Sequence, residues 1–398
     1  MIFLVIAALL VNMNSMVYFF EIPYQAVGMG GDQNVISVLN VIHAVIYVIS
    51  AGVSSGRLRS DRRPMKLLRI LILCITSVYT VTCFAQSVNW LYVLVGLHGF
   101  LVGLFWSVFW SAFYQKQIKY RMKMSTLTIS SAICAVVGPF FAGRVYLLIE
   151  KYVLLLFAGL LLIVMLLEKP LNVWMDRSFV KITHYIDERT KRKGEPKKNR
   201  SIYQIRQGTG YAQGLGVIVL FWLGILLAGC LEGIFRSAMA VYLLDYHIGS
   251  DAWGMLQSVK LLAQTFTLAA IRYAGENRFV FYKTKIKLLF GMGCLMAGTL
   301  IMLSTVRVPL MAVGMVLLGI GYGVIYFMCM AAGTNLTGFL GRNLNGIAEC
   351  LTGAGILAGS VFSGFTKGNP YRGYLWLIVA GTIAAAAFFR KNIWIRAD

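Results

Sequence analysis

Long apolar runs separated by short polar ones fill almost the whole chain, and their lengths predict helices that cross a membrane. About 20 apolar residues span a hydrocarbon core of about 30 Å. Twelve such runs begin near residues 3, 33, 67, 90, 125, 150, 214, 249, 286, 309, 345 and 372. The first starts at Met1 without a basic leader and passes through Asn12, Asn14 and Pro23 without a small-residue cleavage site, so it reads as a retained helix, not a signal peptide. The expected fold class is therefore an all-α membrane protein of twelve transmembrane helices.

The runs also repeat. Gly30-Gly31-Asp32 returns as Gly249-Ser250-Asp251, Gly56 as Gly275, Gly99 and Gly103 as Gly319 and Gly323, Gly138 and Gly143 as Gly359 and Gly364, and Ala158-Gly159 as Ala380-Gly381. The offset drifts only from 219 to 222 residues, so two pseudo-symmetric six-helix bundles are expected, residues 1–168 and 207–398. Parallel repeats of membrane helices are a transporter architecture, which places function between the halves. The joining segment, 169–206, divides in two. Met175, Phe179, Ile182 and Ile186 share one helical face while Arg177, Lys181 and Glu188 take others, predicting an amphipathic helix over 172–190 on the membrane surface. Residues 189–200 carry no apolar side chain and read as a tether, or alternatively as a regulatory docking site.

Composition agrees, with 59% apolar and 13% charged residues and 40 glycines, too oily for a soluble domain. The net charge of +22 changes the picture only through its distribution. Of 37 Lys and Arg, 30 fall in the loops and termini on one side of the predicted bundle, and Arg144, Lys151, Arg307, Lys367 and Arg372 on the other. The positive-inside rule then puts both termini in the cytoplasm and the chain in the cytoplasmic membrane, with anionic lipid headgroups as partners of the basic loops and nucleic acid excluded. All seven cysteines lie inside apolar runs without neighbouring His, so they read as packing residues, and no metal site or cofactor is expected.

Ionisable groups inside a span are costly, which makes each a site candidate. Glu232 and Arg236 are spaced i, i+4 on span seven; Gln257, Lys260 and Gln264 share a face of span eight. Glu232 and Lys260 each lie about 16 Å deep if the connecting turn spans 243–249. Glu232, Arg236 and Lys260 together leave one excess positive charge, suiting an anionic or zwitterionic solute. Alternatively Glu232 and Arg236 only neutralise each other, or Glu232 carries a coupling proton. In the first half Asn14 and Tyr18 on span one and His43 on span two offer hydrogen bonding, with packing as the other reading of His43. Trp106, Trp110 and Tyr114 form a stripe on span four, the last two in an interfacial belt and Trp106 a candidate for either the belt or solute stacking. Tyr322 and Tyr326 share a face of span ten.

The stretch from Gly56 to Lys66, with Asp61 followed by Arg62 and Arg63, resembles the cytoplasmic loop motif of the major facilitator superfamily, as does the layout of the whole chain. The Gly stands five residues before the Asp instead of four, and Pro64 falls where the motif has shortened. The resemblance implies a conformational latch at Asp61, Arg62 and Arg63, and its counterpart in the second half is missing because Val280 replaces the Asp. Glu349 enters span eleven from the same side, either as a helix-terminal carboxylate pairing with a nearby Arg or as a proton carrier. Gly138-Pro139 to Gly143 on span five resembles the core of the superfamily's antiporter motif, with Cys134 where a further Gly stands. Physically the Gly positions, like Gly99, Gly103, Gly319, Gly323, Gly359 and Gly364, allow close helix approach, and Pro139 allows a kink. The Arg that drug exporters of the superfamily carry four residues before a Gly on span four is absent; Val95 or Gly99 occupies its place.

The implied function is gradient-driven uptake of a small polar solute by alternating access, in a monomer coupled to a proton or other ion. Export of amphipathic compounds is the alternative. A polytopic enzyme or sensor would need an acidic or His cluster at a membrane face, for which Asp245, His247 and Asp251 are the only candidates.

Overall fold

The computed structural model describes residues 2–57, 64–120, 124–167, 170, 211–234, 236–237, 242–243, 246, 248–274, 284–340 and 344–365. Within them lie eleven α-helices: α1 Ile2–Gly28, α2 Gln33–Arg57, α3 Pro64–Cys83, α4 Val88–Tyr120, α5 Met124–Ile149, α6 Val153–Leu166, α7 Tyr211–Ile234, α8 Ser250–Ala274, α9 Thr284–Ser304, α10 Val308–Leu340 and α11 Leu344–Phe365. Each begins within three residues of a predicted run. No strand occurs among the described residues. The twelfth run, the amphipathic segment, the tether and the latch residues Asp61, Arg62 and Arg63 lie outside them, as do the side chain of Glu349 and residues Asp245 and His247.

Apolar stretches long enough to cross a membrane run through Val5–Gly28, Gln33–Ser54, Pro64–Cys83, Val88–Phe109, Ile133–Leu166 and Val308–Met328, with shorter ones through Trp222–Ile234, Ile286–Met302 and Cys350–Gly364. Their outer faces stay apolar: Val93, Trp90, Leu148 and Phe266 are all exposed. Such a surface is stable only against lipid.

Turn chemistry sets where the helices stop. Gly30 sits at φ +82°, where a side chain would be strained, and the Gly31 N–H returns to the Ala26 carbonyl at 2.8 Å. Asp32 Oδ1 then accepts the Val35 N–H at 2.9 Å and caps α2. The paired glycines and the aspartate in the sequence are thus one helix end and the next helix start.

The packing repeats with the sequence. Helix α1 lies on α5 as α7 lies on α11, α2 on α4 as α8 on α10, and α3 on α4 as α9 on α10. Helices α4 and α10 are equivalent and both 33 residues long, about 50 Å at the helical rise. Glycines make the contacts. A Cβ on Gly99 would strike the His43 carbonyl of α2 and one on Gly103 the Tyr47 carbonyl; Gly319 and Gly323 face the Lys260 and Gln264 carbonyls of α8 in the same way. Gly138 faces Met13 of α1 as Gly359 faces Cys230 of α7. Without a hydrophobic drive between helices in lipid, this close approach supplies the van der Waals contact that holds them.

Two further seams, α2 on α11 and α5 on α8, exchange under the same pseudo-twofold. They too use the repeat: Gly143 meets Ser250 and Gly254 of α8, and Gly364 meets Ser37 of α2. Both contacts lie at the end of the bundle opposite the basic loops. Gln33 Nε2 donates there to the Ser363 carbonyl and hydroxyl, each at 3.3 Å, and Ser250 Oγ to the Gly143 carbonyl at 3.5 Å.

Gly103→Val should lower the unfolding free energy in detergent by about 1–3 kcal/mol, because its Cβ meets α2 backbone. Gly159→Ala, whose Cβ meets nothing within 4 Å, should leave it unchanged or raise it. Thermal unfolding of the two purified variants beside the parent protein checks both.

Candidate functional site

Beneath the two opposite-end seams a cavity of about 210 Å³ opens between the halves. Helix α1 turns Ala8, Asn12, Ser15, Met16 and Phe19 to it, a face recurring every three to four residues. His43, Ala44 and Tyr47 come from α2, Val102 and Trp106 from α4, and Ala135 from α5. The second half contributes Glu232 and Arg236, Lys260, Leu261 and Gln264 from α8, Tyr322 and Tyr326 from α10, and Thr352, Gly353 and Ile356 from α11.

The charged core of the wall is a triad. Glu232 stands near the end of α7, and Arg236 just past it. Arg236 Nε donates to Glu232 Oε1 at 3.2 Å, while Lys260 Nζ from α8 donates to the other oxygen, Oε2. Packing behind the triad fixes it. Gly229 and Gly233 press α7 onto the backbone of α11 at Thr352 and Ile356, which turns Glu232 toward the cavity. Gly319 lets α10 touch the carbonyl of Lys260, which holds that backbone while the side chain reaches α7. Lys260 is 6% exposed at its side chain and Glu232 14%, so each charge depends on the others for solvation. Arg236 also lies 3.9 Å over the ring of Phe19.

Among the described residues, the first half lines the cavity without charge. His43 Nε2 lies 3.1 Å from His98 Nδ1, and the Tyr79 hydroxyl 3.2 Å from His98 Nε2. Each N···N contact of this kind needs a proton on one ring only, so the pair fixes its tautomers jointly. Tyr18 stacks on His98 with centroids 4.0 Å apart, and the edge of Phe19 meets His43 at 4.6 Å. Tyr322 and Tyr326 stack at 5.8 Å across the cavity wall.

The Major Facilitator Superfamily model matches residues 4–348. The chain belongs to the major facilitator superfamily. Comparison with curated proteins matches none. Among solved structures, the nucleoside transporter NupG is similar, with a point mutant of it at a TM-score of 0.67 and the unsubstituted protein at 0.63. Both are 14% identical, and the match covers 98% of this chain and 98% of each of theirs, a likeness of fold. This superfamily member is thus an all-helical, multi-pass membrane transporter and not an enzyme, and its described helices fall into two matching sets, α1–α6 and α7–α11.

Of the residues that the sequence marks for a solute site, His43, Trp106, Glu232, Arg236, Lys260, Gln264, Tyr322 and Tyr326 share this cavity. Three do not. Asn14 and Tyr18 lie on the back of the cavity face of α1: Asn14 Nδ2 donates to the Phe157 carbonyl of α6 at 3.0 Å, and Tyr18 is buried among His98 and Tyr79. Gln257 is half-buried and is not among the residues that line the cavity; its neighbour Ser258 donates from Oγ to the Val136 carbonyl of α5 at 2.9 Å. Asn12, Phe19, Tyr47 and Thr352 were not foreseen; the spacing of Asn12, Ser15 and Phe19 is the signal that could have found the first two. His98 carries no periodic signal, and only the contact with His43 explains it.

Glu232→Gln leaves two cations facing each other and should destabilise the protein by about 3–5 kcal/mol. Adding Lys260→Met should recover part of that loss. A double-mutant cycle on thermal unfolding gives the coupling, and additivity of the two substitutions would contradict the triad.

Proposed function

We propose that this transporter moves a small anionic or zwitterionic organic solute across the cytoplasmic membrane by alternating access, driven by a proton or other ion gradient. The observation that carries the reading is the triad on the cavity wall, in which one carboxylate faces two cations that water barely reaches. Its Coulomb field favours a negative group by an amount that charge-assisted hydrogen bonding sets at about 1.5–3 kcal/mol. Phe19, Tyr47, Trp106, Tyr322 and Tyr326 add ring faces for the solute's apolar part. The basic loops support a cytoplasmic location for that end of the bundle and for both termini. In this reading halves 1–168 and 207–398 rock about the cavity, tethered by 169–206, with Asp61, Arg62, Arg63 and Glu349 latching the basic end.

A second reading, a neutral nucleoside as solute, is favoured by the ring-lined wall together with the likeness to NupG. Lys260 separates the two. An organic anion should raise the unfolding temperature of the parent protein and bind Lys260→Ala about 10- to 150-fold more weakly, the equivalent of about 1.5–3 kcal/mol. A metabolite panel read by ligand-induced thermal stabilisation, at two pH values, makes the comparison. Equal stabilisation of both proteins by neutral nucleosides would replace the first reading with the second, and stabilisation by hydrophobic cations alone would replace both with efflux.

A further inference from the structure

A second carboxyl lies inside the bundle, away from the cavity, in surroundings opposite to those of Glu232. Glu21 on α1 is fully buried, at 0% exposure. Gln25 Nε2 donates to its Oε1 at 3.0 Å, and its Oε2 has no hydrogen-bond partner among the described residues. The Gln25 amide oxygen and the Tyr24 hydroxyl, on the same turn of α1, are likewise buried without partners. No cation among the described residues forms an ion pair with Glu21.

The groups that face Glu21 from the packed elements do not supply one. Cys83 approaches from α3 and Tyr146 from α5, and Glu150 from the short turn Glu150–Tyr152 adds a like charge. Lys151 of that turn directs its ammonium over the Tyr152 ring at 5.7 Å. Asp251 of α8, a further like charge, lies near Tyr24. Helix α6 has no titratable side chain.

An anionic carboxylate in such a place costs several kcal/mol. A carboxylic acid does not, and its O–H adds a donor to a cluster whose unpartnered atoms are two oxygens that only accept and one tyrosine hydroxyl. The amide of Gln25 can answer either form by turning its oxygen or its nitrogen toward Glu21.

Position gives the proton a consequence. Tyr146 packs on Tyr24 with ring centroids 5.3 Å apart, and it sits one turn from Gly143, where α5 meets Ser250 and Gly254 of α8. Two tyrosines therefore stand between Glu21 and the opposite-end seam. A parting of α5 from α8 would open that seam to water.

We propose that Glu21 is a proton-binding site that must be filled before the opposite end of the transporter can close. The proton comes from water on that side and returns to it when the seam reopens, so Glu21 sets the rate of closure by the pH there. The step is a protonation only: a carboxylate oxygen gains a proton from solvent and loses it to solvent. The proposal rests on the transport reading for its rate consequence, but its protonation has a readout independent of any solute.

That readout is thermal unfolding of the purified protein against pH. A closed form that holds a proton released on unfolding loses stability as pH rises, by linkage. The parent protein should lose unfolding temperature as pH rises from the ordinary carboxylate range to mildly alkaline values, and Glu21→Gln, which keeps the shape and the neutral state, should lose less. Glu150→Gln, which removes only a neighbouring like charge, should keep the dependence, moved toward lower pH. In vesicles, solute exchange by the parent should accelerate as the pH on the opposite-end side falls, by up to about tenfold per pH unit for one linked proton. Exchange by Glu21→Gln should be fast and flat. The proposal is overturned if Glu21→Gln keeps the parent's pH dependence in either assay, if Glu150→Gln removes it, or if external sodium replaces protons as the activating ion. Absence of exchange for every solute tried, with the unfolding difference intact, would instead count against the transport reading and leave the protonation standing.

Discussion

Close contact between helix backbones, made where a side chain is absent, is the constraint on which this structure depends. Lipid removes the hydrophobic drive that packs helices in water, and what remains is van der Waals contact, hydrogen bonding and the geometry that permits them. A Cβ on Gly99, Gly138, Gly233, Gly319 or Gly359 would meet a neighbouring backbone carbonyl at once. These residues fix which helices touch and at what depth. Because the same glycines recur about 220 positions later, the second half is built to the same plan, and the inter-half seams fall under the same symmetry. The cavity is the space this packing leaves between the two halves.

Chemistry breaks the symmetry that packing obeys. All three charged side chains of the described cavity wall come from the second half, and the facing wall of the first half is aromatic and neutral. The triad survives burial because Glu232 answers both Arg236 and Lys260, and removal of Glu232 leaves two cations uncompensated. The His43, His98 and Tyr79 chain meets the same demand without net charge, each ring nitrogen of His98 finding a partner. In the proposed reading, an unsymmetric wall in a symmetric frame would give a solute one orientation, with its anionic group toward Arg236 and Lys260.

Much of the fold was legible because periodicity and glycine spacing are local properties. Eleven helix starts could be placed, and Glu232 with Lys260 could be matched by counting depth from a shared turn. The faces of α1 were harder. Asn14 and Tyr18 looked like cavity residues because they are polar and aromatic, yet the helix turns Asn12, Ser15 and Phe19 inward instead. Nothing in one helix says which of two mixed faces meets the other half; that depends on how α5 and α6 cover its back. Gln257 illustrates the same limit, since it shares a helical face with Lys260 but does not line the cavity. Glu21 stands in the sequence as an acid within a span, but its lack of a cation is a tertiary fact.

In the proposed reading, the strengths of the contacts suit two halves that rock about the cavity. At the opposite end the seams are joined by neutral hydrogen bonds at 3.3 to 3.5 Å, each contributing about 0.5–1.5 kcal/mol and replaceable by water when the seam parts. Inside the cavity the bonds are between charges and are sheltered from solvent. A solute that engages the triad therefore contributes more free energy than one seam bond holds, and differential binding of that size is what shifts a two-state equilibrium. Had the ion pairs been at the seams and the neutral bonds in the cavity, the closed end would have been locked and the solute too weakly held to open it.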